Sequence, residues 1–386
     1  MPKTIVSLTT LPVLQDGRIL KMASSIARFG YESVLIDNSP FNGNSYPFQL
    51  ISIGSQPSAP QSTKFELKKA LYYAIYNRLP SQIRPLLDKF KKDDYVRGYM
   101  SYYKDRVLNV LPAADLYLLR SYLQYPALKG KRFIYDASDF YLSLWDCASE
   151  FEKEKVMPFH RKIEQQCMKE ALVVTTCCEG VASLIKKEFG REAKIVRNCQ
   201  DKRCDVPVKQ TIKKMLGLTD KDFLVVSVGA AKPGAAIAQA VEALNKLPNN
   251  VHLAFVGKGH KDYGLRAHSV GTVPANEVTP FISDADCAII LYFNYSENYL
   301  HVQPASLFHA IDARLPVLYP LLPDIVSVTS RYSIGLPIDP LDSASIADGI
   351  KEMIETKTLF HLDKAARELS WEQEEPKLKA ILEELP

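Results

Sequence analysis

Residues 223–257, "FLVVSVGAAKPGAAIAQAVEALNKLPNNVHLAFVG", decide the fold. The stretch begins and ends with short apolar runs, and the segment between them has apolar residues at helical spacing. A strand, a glycine-containing loop, an amphipathic helix and a second strand form the βαβ unit of a parallel sheet. The stretch therefore predicts an α/β fold.

The same alternation runs through both halves of the chain. Strands are predicted at "TIVSLTT", "SVLIDN", "RFIYDAS", "LVVTTC" and "AKIVRN", and after the opening stretch at "CAIILYF" and "PVLYP". A polar stretch at 198–210 separates the halves. We predict two doubly wound Rossmann-like domains, at 1–203 and 204–365, that face each other across a cleft. A final helix at 366–386 is predicted to cross back onto the first domain.

Composition narrows the class of protein. The chain has 386 residues, and its formal net charge of +4 is too small to indicate a nucleic-acid partner. Its seven cysteines form no CxxC pair, which argues against a metal cluster or disulfide framework. The first residues lack the apolar core of a signal peptide, and no apolar run reaches the roughly 18 residues of a membrane span. We expect a cytoplasmic protein.

Residues 62–110 interrupt the strand–helix rhythm. This segment is predicted to be helical and carries 11 Lys and Arg against 5 Asp and Glu, with tyrosines and phenylalanines between the basic residues. One interpretation is a peripheral contact with the inner face of the cell membrane, where cations meet anionic head groups and aromatic rings lie at the interface. The other is a set of ordinary amphipathic helices with inward-packed tyrosines.

Motifs with the order and spacing of one enzyme family run along nearly the whole chain. They are "DGRILKMASSIARFGYESVLI", "FIYDASDFY", "VVTTCCEGVASLIKKEFG", "VVSVGAAKPGAAIAQAVEAL", "LAFVGKG", "GTVPANEVTPFISDADCAIILY" and "ELSWEQEEPKLKAIL". Together they resemble the GT-B-fold glycosyltransferases, in particular the retaining glycosyltransferase family 4. The resemblance implies a GT-B fold and transfer of a sugar from a nucleotide-sugar donor to a glycan or lipid-linked glycan acceptor, with retention and without a metal ion.

The resemblance places the donor site mainly in the second domain, at positions that partly depart from the family's pattern. The family keeps two glutamates eight residues apart, and His301 and His309 occupy these positions. In the first donor loop Gly229 is retained, Ala230 replaces an arginine, and Lys232 is the cation. The implied donor-binding residues are Gly229, Lys232, Arg197, Val273, Pro304, Ser306 and His309.

Elementary chemistry gives the residues around the histidines specific tasks. Pro304 suits the first position of a helix, so the free N–H groups of residues 305–307 would point at a donor phosphate. His309, one turn further on, either hydrogen bonds to the ribose or packs between helix and strand. His301 lies in the preceding loop, where a protonated imidazole would suit an acidic sugar or a phosphate. Zinc on these two histidines lacks a third ligand at suitable spacing.

Polar side chains at the strand ends of the first domain are candidates for the acceptor side. A carboxylate there can take or orient the proton of the acceptor hydroxyl. We therefore expect Asp139, Asp136 and His301 to be catalytic. The acceptor-side candidates are Asp16, Arg18 and Ser138, and Ser138 stands where the family often has a histidine.

Three polar residues of the candidate site also have an ordinary structural explanation. Arg18 would pair only with Asp16, Asp139 would cap the next helix, and Arg197 would form a surface salt bridge instead of meeting a phosphate. Residues 284–286 spell DxD, a metal-binding motif in another glycosyltransferase fold, but here they follow a predicted helix and favour a helix-end role.

Two classes of function remain open from the sequence. The first is a nucleotide-sugar-dependent glycosyltransferase. The second is a catalytically degenerate GT-B protein that binds a partner or ligand, a reading favoured by the replaced lysine, arginine and glutamates. A sugar-nucleotide epimerase of similar fold lacks a matching set of carboxylates.

Overall fold

The computed structural model describes residues 3–39, 45–55, 104–145, 153, 157–360 and 362–385. Most of the basic aromatic segment at 62–110 lies outside these residues, and within it residues 104–110 are helical. The described strands are β1 Thr4–Leu8, β2 Glu32–Asp37, β3 Gln49–Ser52, β4 Leu116–Leu119, β5 Phe133–Asp136, β6 Val173–Thr176, β7 Ala193–Ile195, β8 Phe223–Val228, β9 Val251–Val256, β10 Ala267–Gly271, β11 Cys287–Ile289, β12 Val317–Pro320 and β13 Gly335–Ile338.

The described α-helices alternate with these strands. They are α1 Gly17–Arg28, α2 Tyr125–Leu128, α3 Met157–Glu170, α4 Glu179–Phe189, α5 Ile212–Leu216, α6 Ile237–Ala243, α7 Val278–Ile282, α8 Glu297–Leu300, α9 Ala305–Asp312, α10 Pro323–Thr329, α11 Ser343–Thr356, α12 Leu362–Glu368 and α13 Trp371–Glu383. Among the described residues, no helix is long and apolar enough to span a bilayer.

The strands form two sheets. The first has the order β3-β2-β1-β4-β5-β6-β7, and the second has the order β10-β9-β8-β11-β12-β13. Strand pairs such as β1 with β2, β8 with β9, and β12 with β13 run parallel. The predicted α/β class, with two doubly wound Rossmann-like sheets, is confirmed.

Burial on both faces explains why these apolar runs are strands. Along β8, Leu224 and Val226 belong to one buried cluster, which also contains Phe308 of α9. Phe223 and Val225 belong to a second cluster, on the opposite face. Successive side chains of a strand point to opposite faces, so a strand covered on both sides must be apolar at every position.

The strand order creates one switch point in each sheet. From β8 the chain builds outward through β9 and β10, and then returns to place β11 on the other side of β8. The first sheet does the same at β1 and β4. Ligands of open α/β sheets bind beyond the carboxyl ends of the strands at such points. The loops after β8 and β11 are therefore the first place to search for a donor site.

Contacts between Cα atoms divide the chain into two compact units. One comprises Met1–Ile19, Ala23–Asp136 and Trp145–Val174, and the other comprises Leu20–Met22, Ala137–Leu144 and Thr175–Pro386. The predicted boundary at residue 203 falls between the last strand of the first sheet and the first strand of the second. It remains a prediction, as does the crossover role of the last helix.

Candidate functional site at the carboxyl ends of the second sheet

A small pocket, open to solvent, lies at the switch point of the second sheet. Its walls come from the end of β8, from the residues that follow β11, and from the first turn of α9. The lining residues include Gly229, His260, Tyr292 and Ser306. Two predicted donor-binding residues, Gly229 and Ser306, therefore share one pocket although 77 positions separate them in the sequence.

Glycines let the backbone close tightly at one wall of this pocket. Gly229 has φ +144°, and a Cβ added to Gly257 would lie 2.1 Å from the Gly229 carbonyl oxygen. His260 holds the same carbonyl through Nε2 at 2.8 Å and stacks on Phe255 with ring centroids 4.9 Å apart. The loop that follows β9 therefore holds the loop that follows β8 in place, while Gly229 still lines the pocket.

The start of α9 differs by one residue from the sequence prediction. Pro304 has φ −74° and ψ 148°, so it is the N-cap residue and not the first helical residue. The Pro304 carbonyl accepts the N–H of Leu307 at 3.0 Å. The Leu307 N–H is therefore not free to bind a phosphate, contrary to the prediction from the sequence. The N–H groups of Ala305 and Ser306, with the Ser306 hydroxyl, are the donors that this end of the helix offers.

Lys232 lies in the loop between β8 and α6, close to two aromatic rings. Its Nζ is 4.9 Å from the ring centroid of Tyr292 and 5.4 Å from that of Tyr299. Burial lowers the pKa of Lys232, but the two phenols and Asp139 raise it, and the net pKa lies above its usual value. Lys232 therefore carries a full positive charge beside the pocket at neutral pH.

His309 is buried within α9 and faces Thr279 of α7. Its Nδ1 lies 2.8 Å from the Thr279 hydroxyl, and the residue is only 7% exposed. Burial, with a smaller contribution from the charge of Lys21, lowers the pKa of His309 to about 3. The imidazole is therefore neutral, and the Thr279 hydroxyl, which can donate or accept, satisfies Nδ1 in either tautomer. His309 is thus packed in the interior, as the structural alternative expected, and its role at a ribose stays a prediction.

His301 follows α8 and is paired with a carboxylate that the sequence did not reveal. Its Nδ1 lies 2.9 Å from Oδ2 of Asp324, in the first turn of α10. The side chain of His301 is 24% exposed, whereas that of Asp324 is 6% exposed. His301 thus presents part of its ring to solvent, with a buried anion behind it.

Asp139 lies at a polar junction beyond the end of β5. Its Oδ1 accepts a hydrogen bond from the Asn298 amide at 3.2 Å, and its Oδ2 accepts one from the Ser138 hydroxyl at 3.3 Å. Asn298 is fixed in turn by the N–H of Phe140, at 2.7 Å from its Oδ1. Asp139 is half-buried, and two neutral donors orient its carboxylate.

Arg197 and Val273 are engaged elsewhere in the structure. The guanidinium of Arg197 pairs with Glu179 and, at 3.8 Å, with Glu374. The Arg197 N–H also donates to Glu374 at 2.9 Å. These ion pairs match the salt-bridge alternative. Val273 packs against the apolar cluster that contains Phe308 and offers no polar side-chain atom to a ligand.

In the first sheet, Asp16, Arg18 and Asp136 form a buried charge cluster with Arg120. Asp136 is fully buried and accepts from Arg18 at 2.7 and 2.8 Å and from Arg120 at 2.8 Å. Asp16 accepts from Arg120 at 3.2 Å and from the N–H of Ile19, which makes it the N-cap of α1. Arg18 therefore pairs with Asp136, and the expected partner Asp16 was wrong.

This cluster commits Asp136 to two guanidinium groups, and its catalytic role stays a prediction. Three charge-assisted hydrogen bonds from two guanidinium groups fix the position of the Asp136 carboxylate. Burial raises the pKa of Asp16, but Arg120 and the hydrogen bonds outweigh it, and the net pKa is lowered. Both carboxylates fit a structural role at the strand ends of the first sheet.

Both aspartates of the DxD motif are engaged by lysine residues of the same chain. Asp284 accepts the N–H of Lys213 at 3.1 Å. Asp286 pairs with Lys213 at 2.6 Å and with Lys357 at 2.5 Å. Within the described part of the chain, no group of three or more His, Cys, Asp or Glu side chains is arranged to hold a metal ion.

Comparisons with known proteins define the fold. No family model and no curated protein matches the sequence. Sucrose-phosphate synthase from Thermosynechococcus elongatus is similar, with 12% identity and a TM-score of 0.68, over 100% of this chain and 99% of that one. WaaG, a glycosyltransferase involved in lipopolysaccharide biosynthesis, has 16% identity and a TM-score of 0.65, over 98% and 99%. HepE from Anabaena, in complex with UDP and glucose, has 14% identity and a TM-score of 0.65, over 99% and 100%.

These likenesses establish a GT-B fold for the whole chain, as predicted. They leave membership of family 4 untested. Sequence identities of 12–16% carry the architecture and not the chemistry.

Several residues of the site escaped the sequence prediction. They are Thr279, His260, Tyr292, Asn298 and Asp324. Tyr292 had a usable signal, because it directly follows an apolar strand at the edge where ligands bind. The other four depend on contacts between distant segments, which one sequence does not display.

The neutral state of His309 predicts acid sensitivity. The unfolded chain takes up a proton near pH 6.5, whereas the folded chain does so only near pH 3. Stability contributed by the neutral histidine is therefore complete above pH 6.5 and is lost as the pH falls. We expect the free energy of unfolding to drop by about 2 kcal/mol more between pH 7.5 and 5 in the wild type than in His309→Gln, measured by urea denaturation.

Asp205 provides a control of opposite sign. Burial and the neighbouring Asp312 and Asp201 raise the pKa of Asp205 to about 7, so its ionisation opposes folding as the pH rises. Asp205→Asn should therefore gain stability relative to wild type at pH 8 and lose that gain toward pH 5. Equal pH slopes for wild type and His309→Gln would show that His309 is not held neutral by burial.

Proposed function

We propose that the protein is a nucleotide-sugar-dependent glycosyltransferase. The observation that carries this proposal is the pocket beyond β8 and β11, where Gly229 and the first turn of α9 lie beside the charge of Lys232. Backbone N–H groups at a helix start and a nearby cation are the groups that hold a diphosphate. The HepE complex with UDP and glucose supports a donor of this class on the same fold.

The donor site in this proposal is built around the predicted residues Ser306, Lys232 and His309. Ala305 and Ser306 supply N–H and hydroxyl donors, and Lys232 supplies the charge that the replaced arginine and lysine no longer give. His309 is proposed to meet the ribose through Nε2, because its Nδ1 is already bonded to Thr279. Arg197 is assigned only a supporting role, since two glutamates pair with it.

Asp139 is the carboxylate proposed to orient or deprotonate the acceptor hydroxyl. It is half-buried, and its donors Asn298 and Ser138 fix its direction. In the retaining mechanism that the resemblance implies, the donor phosphate assists this proton transfer, and the protein supplies orientation and electrostatics without a metal ion. A glycan or lipid-linked glycan is the proposed acceptor, a choice supported by the role of WaaG in lipopolysaccharide biosynthesis.

A catalytically degenerate binding protein is the second candidate. The histidines in place of two glutamates favour it, as do Ala230 and the ion pairs of Arg197. The two candidates differ in one observable property. Only the transferase releases nucleoside diphosphate from a nucleotide sugar.

Lys232→Met tests the donor site. We expect nucleoside diphosphates, tried as a panel that begins with UDP, to raise the melting temperature of the wild type. Loss of a charge-assisted hydrogen bond should weaken binding in Lys232→Met by about 10- to 100-fold. Lys261→Met is the matched control, because Lys261 also lies over a tyrosine, Tyr263, at 5.9 Å, but Tyr263, unlike Tyr292, does not line the pocket.

Three outcomes separate the candidates. Nucleotide binding that is weakened only in Lys232→Met, with release of nucleoside diphosphate from a nucleotide sugar, supports the transferase. The same binding without release, across a panel of sugars and acceptors, supports the binding protein. Absence of binding by every nucleotide would overturn the transferase and favour a degenerate protein that binds another ligand or a partner.

The proposed site of action is the cytoplasmic face of a membrane, with residues 62–110 as the contact. The basis is the excess of six positive charges in that segment and the interleaved aromatic residues. We expect the protein to float with vesicles containing anionic lipid at low salt, and to do so less at high salt. Equal flotation with neutral and anionic vesicles would contradict this contact.

A further inference from the structure

His301 and Asp324 form a hydrogen-bonded pair whose geometry is fixed on three sides. Nδ1 of His301 lies 2.9 Å from Oδ2 of Asp324. The other carboxylate oxygen, Oδ1, accepts the N–H of Gly180 at 3.0 Å, in the first turn of α4. The Asp324 carbonyl accepts from the Gln303 amide at 3.1 Å. Both oxygens of the Asp324 carboxylate are therefore committed, one to a backbone N–H and one to the imidazole.

Gly180 is required by this pair. A Cβ added at position 180 would lie 2.1 Å from Nδ1 of His301 and 2.2 Å from Oδ2 of Asp324. Carbon atoms do not approach nitrogen or oxygen so closely, so a side chain here would displace the imidazole or the carboxylate. The absence of a side chain lets the pair rest directly on the start of α4.

The carboxylate determines which nitrogen of His301 carries the proton. An ionised carboxylate only accepts hydrogen bonds, and so the nitrogen facing it must be the donor. In a neutral imidazole the other nitrogen, Nε2, then holds a lone pair. No described residue hydrogen bonds to Nε2, and the ring is partly exposed.

The neighbouring Cys178 thiol does not change the assignment of the proton to Nδ1 of His301. The Cys178 thiol donates to the His301 carbonyl at 3.2 Å. A hydrogen bond from Cys177, burial and the charge of Asp324 raise the pKa of Cys178, so the thiol remains neutral. Asp324 is thus the group that polarises the imidazole.

We infer that Asp324 is a positioning residue that makes His301 a hydrogen-bond acceptor for a hydroxyl of the donor sugar. This inference rests on the proposed transferase function. A neutral imidazole with its carboxylate carries one negative charge, the same as the glutamate that the resemblance places at position 301. The pair therefore suits a neutral, hydroxyl-bearing sugar and disfavours a uronic acid or sugar phosphate. A protonated His301 facing an acidic sugar is the alternative that the sequence predicted.

The tautomer of His301 can be measured without any substrate. We expect long-range ¹H–¹⁵N spectra of ¹⁵N-histidine-labelled protein at pH 8 to show His301 protonated on Nδ1, with the signal assigned by its loss in His301→Gln. Asp324→Asn should move His301 toward the Nε2–H form. Asp342→Asn is the matched control, because Asp342 also caps a helix, through the Ala344 N–H at 2.8 Å.

Turnover then tests the functional half. With a neutral donor sugar, kcat/KM in Asp324→Asn should fall by about 10- to 100-fold, toward that of His301→Gln, while binding of nucleoside diphosphate alone stays unchanged. An Nε2–H tautomer in the wild type would overturn the inference even if the protein is an active transferase. A correct tautomer with full activity in Asp324→Asn would also overturn it. Lack of all transferase activity would refute the proposed function, with the tautomer decided separately.

Discussion

The site depends on the divergence of β8 and β11 at the centre of the second sheet. Because the chain leaves these adjacent parallel strands toward opposite sides, their following loops separate and expose the sheet end between them. Gly229 and Tyr292 stand at the two edges of the gap, and the start of α9 reaches into it with Ser306. The position of every proposed donor contact follows from this one feature of the topology.

His301 and His309 have different partners in the structure. His309 is neutral because it is buried and bonded to Thr279, which leaves a single ring nitrogen for a ligand. His301 instead hydrogen bonds to the buried carboxylate of Asp324, which supplies a negative charge next to the imidazole. In the proposed site, Asp324 therefore supplies from another helix the negative charge that the resemblance would place at position 301.

The fold could be predicted from the sequence because its signal is local. Apolar strands such as the one at Phe223–Val228 and the amphipathic pattern of α6 each appear within a few residues. The helix at Ala305–Asp312 was also predictable, although Pro304 proved to be its cap. The long-range pairs that fix these polar side chains were not predictable. Asp324 lies 144 positions from Gly180, and Arg18 lies 118 from Asp136, so both depend on tertiary structure.

The central claim is that the pocket beyond β8 and β11 binds the diphosphate of a nucleotide sugar. The most direct measurement is a crystal structure of the protein soaked with the nucleoside diphosphate that stabilises it most. The account predicts phosphate density within hydrogen-bond distance of the N–H groups of Ala305 and Ser306, with Lys232 turned toward it. Nucleotide density at another site, such as the end of β4 beside Arg120, would contradict the account.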